Sequence, residues 1–210
     1  MRPRLTSAAL PLILVALAAC GKEAPDSPRV ETPGTPAKPA ARVEGTSPGE
    51  LVPKFAVEGT AAGVKSPAFD SQAPGEITVY CVGSTTCPYT NKYAEKLQQI
   101  EKGFAGKPVR FVWLYSNSTE TDADKTKWHA DKGLAGVFVI DRNAVAAKTL
   151  GAARTPELVV TSADGTITYR GAIDDGGGDP KRAKVEYLRD AIDATLAGRP
   201  VTTTVTQPAG

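Results

Sequence analysis

The sequence predicts an α/β domain with a central mixed β-sheet flanked by helices on both faces. Three observations predict it. From residue 77 to residue 160, short apolar runs alternate with stretches of helical periodicity, the mark of βα units and a largely parallel sheet. The last two apolar runs are joined through Ala163-Asp164-Gly165, a turn that makes an antiparallel hairpin at one end of that sheet. About 150 residues remain once a breaker-rich N-terminal region is set aside, enough for one domain with a sizeable core.

The elements follow in order. Ile77 to Val82 is a buried strand, and Gly83 to Thr86 a short polar turn. Pro88 suits the first position of a helix, where its missing N–H costs nothing. Tyr93, Leu97, Ile100 and Phe104 form the apolar face of that helix, which Gly103 and Gly106 end. Val109 to Tyr115 is a second strand. Ser118 or Thr119 is expected to cap a polar helix reaching about Lys132, with Thr119 and Asp122 as a capping box. Val137 to Ile140 is a third strand, and Asp141 is expected to cap a helix running to Leu150, closed by Gly151. Leu158 to Thr161 and Ile167 to Arg170 form the hairpin. Asp179 and Pro180 are expected to open a last helix with Val185, Leu188, Ile192 and Leu196 as its stripe, closed by Gly198 and Pro200.

Four places in this order carry a resemblance. Strand, Thr85-Thr86-Cys87-Pro88, then a helix with Tyr93-Ala94 resembles the Thr-x-Cys-Pro pattern of redoxins. Thr155-Pro156 stands just before the hairpin, with Arg154 ahead of it. Tyr169-Arg170-Gly171-Ala172-Ile173-Asp174-Asp175 closes the hairpin. Together, over roughly residues 52 to 198, these resemble the thioredoxin-like superfamily and its redoxin branch of peroxiredoxin-like (AhpC/TSA-type) proteins. The resemblance implies a thioredoxin-like fold, a cis bond at Pro156 beside a reactive Cys87, and no cofactor. There are departures. The dithiol Cys-x-x-Cys of thioredoxins is Cys87-Pro88-Tyr89-Thr90 here, and the threonine that peroxiredoxins place three residues before their cysteine is Ser84, still able to donate a hydrogen bond. The Gly-Cys pair that related tails often carry is replaced by an end at Gly210.

The chemistry rests on Cys87. A thiol at a helix start faces unpaired amides and the positive end of the helix dipole, which favour the thiolate. Pro156 would wall the substrate side, and Arg154 either aids the thiolate electrostatically or lies on the surface. Cys81 has two readings, a core cysteine on a central strand or a resolving thiol beneath Cys87; pairing would need Cα atoms within about 7 Å. His129, the only histidine, falls on a polar helix and is expected to be solvated. One histidine and a Cys81–Cys87 spacing unlike the Cys-x-x-x-Cys of copper-delivery relatives argue against a metal site. Trp113, Phe111 and Phe138 read as core, and Asp174 and Asp175 as surface charges at the hairpin end.

The N-terminus sets the compartment. Arg2 and Arg4 precede an uncharged stretch from Ala8 to Ala19, shorter than the roughly 20 apolar residues a spanning helix needs and suited to a signal peptide. Leu17-Ala18-Ala19-Cys20-Gly21 resembles a lipobox, which implies cleavage before Cys20 and a lipid on it. Gly21, where an Asp would signal inner-membrane retention, favours the outer membrane facing the periplasm. The expected organisation is a signal peptide at 1–19, a Pro/Ala-rich stalk at 20–50 too poor in apolar residues to fold, the redoxin domain at 51–200 and a tail at 201–210. Extended, such a stalk reaches on the order of 85 Å. Two cysteines remain for the oxidising envelope, Cys81 and Cys87. The formal net charge of +2, mixed in sign, gives no basic face for nucleic acid. The expected function is a membrane-tethered thiol redox protein, with a disulfide-bearing protein or a small hydroperoxide as substrate and an unidentified thiol reductant. A catalytically inactive binding module of the same fold and a copper-delivery protein are the alternatives.

Overall fold

The computed structural model describes residues 46–57, 60–61, 64–65, 69–71 and 75–209. The expected signal peptide, the lipidation site Cys20 and most of the stalk lie outside the described residues. Four two-residue strands come first: β1 (Ala56–Val57), β2 (Thr60–Ala61), β3 (Val64–Lys65) and β4 (Phe69–Asp70), β1 pairing with β4 and β2 with β3. The sheet itself is built from β5 (Ile77–Gly83), β6 (Val109–Tyr115), β7 (Val137–Ile140), β8 (Glu157–Thr161) and β9 (Ile167–Gly171), in the order β7-β6-β5-β8-β9. β5, β6 and β7 run parallel, while β8 is antiparallel to both β5 and β9. Helices α1 (Pro88–Gly103), α2 (Asp122–Asp131), α3 (Val145–Thr149) and α4 (Tyr187–Leu196) complete the expected mixed α/β architecture.

The sheet is covered on both sides, which is why β5 reads as an unbroken apolar run rather than an alternating one. On one face Val79, Cys81, Trp113 and Val160 pack with Tyr93, Leu97 and Ile100 of α1 and Leu188 and Ile192 of α4. On the other, Tyr80, Val82, Leu114 and Val159 pack with Ala146, Ala147 and Leu150 and with Val52, Phe55 and Val57. The expected core residues Phe111, Trp113 and Phe138 are all buried. No helix among the described residues is long and apolar enough to cross a membrane.

The structure differs from the sequence reading at several ends. Thr121, not Ser118 or Thr119, caps α2: its Oγ1 accepts the Asp124 amide at 3.1 Å and donates to the Asp124 carboxylate at 2.6 Å. The N-cap of α3 is Ala144 rather than Asp141: a kink with Asn143 and Ala144 at φ of 59° and 54° delays the helix to Val145, and the Asp141 carboxylate reaches across it to accept the Ala146 and Ala147 amides at 2.8 and 2.9 Å. Asp179 caps only a 3-10 turn, Pro180–Arg182, and α4 starts at Tyr187, leaving Val185 exposed and outside the stripe. Residues 46–50, assigned to the stalk, are hydrogen-bonded to the hairpin through Gly49, Glu50 and Ile167. The end of the tail also docks. Thr204 and Thr206 bond to the Arg170 backbone on the outer edge of β9, where unpaired backbone groups would otherwise face solvent. Gly171, at φ of 135°, leaves room for Thr206 to approach, and a Cβ there would collide with it.

Candidate active site

Cys87 is the N-cap of α1, with extended backbone angles of −71° and 123°, and Pro88 opens the helix behind it. Its thiol donates to the Thr155 carbonyl at 3.1 Å, across the cis Thr155–Pro156 bond that the sequence led us to expect. Partial burial pushes the thiol pKa up. The Thr155 side chain, the Thr90 amide and hydroxyl, and the Tyr89 amide act in the opposite sense and prevail, so it falls below the usual cysteine value. No first-turn amide forms a hydrogen bond to the sulfur in the thiol form; the pull of those amides is exerted on the anion.

The turn that delivers Cys87 is fastened by a carboxylate the sequence reading did not single out. Glu120, buried in the loop after β6, accepts from the Ser84 hydroxyl, from the Thr86 amide at 3.1 Å, from the Thr86 hydroxyl at 3.0 Å and from Asn117 Nδ2 at 3.1 Å. Burial raises its pKa, but these donors outweigh burial and hold it below the ordinary carboxylate value. Ser84 therefore anchors the turn through Glu120. Nothing in the local sequence announces Glu120, which lies in a loop 33 residues after Cys87 (120 − 87).

A second set of contacts holds the strand side. Glu157, directly after Pro156, pairs with Arg170 at 2.6 Å, and both are buried. Asp174, expected on the surface, is buried: it accepts the Tyr93 hydroxyl at 2.6 Å, Lys96 Nζ at 2.5 Å and the Gly176 amide at 2.8 Å. Asp175 is exposed as expected and takes the Lys184 and Val185 amides. A cavity of about 290 Å³ opens here, walled by Pro156, Tyr93, Asp174, Tyr187 and the tail residues Gln207 and Pro208.

Arg154 is exposed, two residues ahead of Pro156. Cys81 lies in the β5 core row, paired with Trp113 and Leu158 on the neighbouring strands, and is 1% exposed. Burial, with the nearby Glu101 carboxylate second, pushes its pKa well up. Both thiols are free. His129 departs from the solvated role expected of it: Nδ1 lies 2.8 Å from the Tyr115 hydroxyl, the ring packs edge-on to Trp113, Tyr115 and Phe138, and burial lowers its pKa to about 4. No group of three or more histidine, cysteine or carboxylate side chains among the described residues is placed to hold a metal ion.

A family model described as Redoxin matches residues 47–188, two thirds of the chain. The chain belongs to the Redoxin family. A search of curated proteins returns no match. Among solved structures, the redoxin domain is similar to an uncharacterized conserved protein from Geobacillus kaustophilus, 25% identical over 81% of this chain and 92% of that one, with a TM-score of 0.67. It is similar also to a hypothetical protein from Sinorhizobium meliloti 1021, 25% identical over 77% and 91%, with a TM-score of 0.66. A putative thiol:disulfide interchange protein DsbE from Chlorobium tepidum shares 16% identity over 71% and 98%, with a TM-score of 0.58, and shows the thioredoxin-like fold alone. In this redoxin, Cys87 and Pro156 lie on either side of the Thr155 carbonyl that accepts the thiol.

Proposed function

We propose that this redoxin is a membrane-tethered thiol oxidoreductase of the bacterial cell envelope, held by lipid on Cys20 at the periplasmic face of the outer membrane and working through Cys87. One observation carries the reading: a partly exposed cysteine at a helix start, with a depressed pKa, lies against the backbone before Pro156. The lipobox-like Leu17-Ala18-Ala19-Cys20 supports the location.

The reaction is thiol–disulfide exchange. The Cys87 thiolate attacks one sulfur of a substrate disulfide, forming a mixed disulfide and expelling the other sulfur as a thiolate. A second thiolate then attacks the mixed disulfide, returning Cys87 and carrying away the substrate sulfur as a new disulfide. We assign that second thiol to an external reductant, since Cys81 is buried in the core with its pKa raised. Exchange is favoured over hydroperoxide reduction because the Ser84 hydroxyl, the peroxidase-like donor, is committed to Glu120. The binding-module alternative draws on the absence of a second thiol at Thr90.

The test is turnover of a disulfide substrate and of a small hydroperoxide, each with an excess of thiol reductant. The parent protein should reduce the disulfide and Cys87→Ser should not. Cys81→Ser should retain turnover. Binding of a disulfide peptide without turnover by the parent would overturn the enzyme reading in favour of a binding module.

A further inference from the structure

Thr90 stands where a dithiol redoxin carries its second cysteine, and the structure leaves its hydroxyl in an unusual position. Thr90 is fully buried at 0% exposure in the first turn of α1, and its Oγ1 has no hydrogen-bond partner. Its methyl group lies toward Gly83, 3.6 Å from where a Cβ on that glycine would stand. A buried hydroxyl without a partner is costly, about 1–3 kcal/mol, and such a group calls for an explanation. Thr90 is the third residue of the helix that Cys87 caps, in the turn that faces the sulfur, and its amide and hydroxyl are among the groups that lower the Cys87 pKa.

We infer that Thr90 is a catalytic hydrogen-bond donor to the Cys87 sulfur, engaged only when that sulfur is an anion. This rests on the reading of Cys87 as the attacking thiolate. In the thiol form the S–H proton is given to the Thr155 carbonyl, and the sulfur has little to offer as an acceptor. When the proton leaves to solvent, the Thr155 carbonyl becomes a poor neighbour and the Thr90 O–H turns to donate to the negative sulfur. A hydrogen bond to a charged group is stronger than one between neutral groups, so it shifts the equilibrium toward thiolate. The same donor assists when Cys87 leaves a mixed disulfide as thiolate. Threonine in place of the second cysteine thus keeps the stabilising contact and removes the internal route to a disulfide, which commits the protein to an external thiol.

The charged groups that neighbouring elements bring to this region include Lys92 on α1, Glu120 after β6, Asp124, Lys127 and Asp131 on α2, Arg154 before β8 and Asp174 after β9. Substitution at Thr90 leaves them in place. The experiment measures thiolate absorbance against pH in the full chain, with the Cys87→Ser titration subtracted to isolate Cys87. Thr90→Val, of nearly the same shape, should raise the Cys87 midpoint by about one unit, a tenfold smaller thiolate-to-thiol ratio at any given pH. Thr90→Ser should restore the parent midpoint. Thermal unfolding of the reduced Thr90→Val protein should be unchanged or later, since an unpaired hydroxyl has been removed; if that variant does not fold, Thr90→Ala takes its place. Coincident midpoints for parent and valine or alanine variant, with Cys87 still acidic, would overturn the role of Thr90 alone. A parent midpoint at the ordinary cysteine value would overturn the redox reading beneath it.

Discussion

Asp174→Asn separates the surface charge that the hairpin-end sequence suggests from the buried anchor that the structure shows. The carboxylate serves three donors at once: Tyr93 Oη, Lys96 Nζ and the Gly176 amide, at 2.6, 2.5 and 2.8 Å. The Asp174 side chain is 0% exposed and Lys96 is 16% exposed. Removing one member of a buried pair costs about 3–5 kcal/mol, because the partner charge is left without its counterion. Lys96 keeps a second carboxylate, Glu186, at 2.7 Å, so the expected loss lies at the low end, about 3 kcal/mol. For a domain of this size each kcal/mol moves the melting temperature by about 2–4 °C, so the variant should melt roughly 6–12 °C early. Urea titration of parent and variant at neutral pH, with the slope checked for constancy, measures the loss directly. A loss below about 1 kcal/mol, the range of exposed ion pairs, would refute the burial argument.

Two further predictions concern stability. The His129 pKa is held near 4 in the folded protein against an ordinary value of 6.5, so the unfolded chain binds the extra proton first as pH falls. Stability from this group is complete above about pH 6.5 and drains toward pH 4, by about 3 kcal/mol in all. Urea midpoints measured across that range should show the decline in the parent and lose much of it in His129→Phe. Thr121→Ala should cost about 1 kcal/mol as a lost helix cap, whereas Thr119→Ala should change the urea midpoint far less; equal effects would mean that the cap is misassigned.

How legible the fold was depends on what each element rests on. The strands over Val109–Tyr115 and Val137–Ile140 carry the same bounds in sequence and structure, because a strand covered on both faces is a dense apolar run, broken here only by the half-buried Arg110 near one end. Helix α1 was equally readable: Pro88 fixes its start and Tyr93, Leu97, Ile100 and Phe104 its buried face. The Cys87 position followed from that helix. What the sequence concealed is long-range and polar. Asp174 looks like any loop carboxylate until α1 brings Tyr93 and Lys96 to it across about 80 residues of chain (174 − 93 = 81; 174 − 96 = 78). Glu120 belongs to the site only through the folded loop that lays it against Ser84 and Thr86. His129 was misread because α2 has almost no apolar stripe, yet its inner edge meets the aromatic group of Trp113, Tyr115 and Phe138.

The concealed contacts of the stretch from Tyr169 to Asp175 also frame the site. Its residues tie together the two pieces of chain whose meeting makes the site. Arg170 reaches under the hairpin to Glu157, the residue after Pro156, and its guanidinium also holds the Thr46 and Gly151 carbonyls at 2.7 and 3.1 Å. That fixes the strand side. Asp174, four residues further, takes Tyr93 and Lys96 from the helix that begins behind Cys87, which fixes the helix side. Between them, the Tyr169 hydroxyl donates to the Ala172 carbonyl at 2.5 Å and braces the turn that sets the spacing of the two clamps. A sulfur and a carbonyl 3.1 Å apart, on elements separated by 68 residues, need such a common frame: an error of 1 Å there would part the thiol from its acceptor. Neither Arg170 nor Asp174 touches Cys87. Both are buried charges, expensive to keep in a core, and their place in the fold is accounted for by the geometry they hold at the site rather than by stability alone.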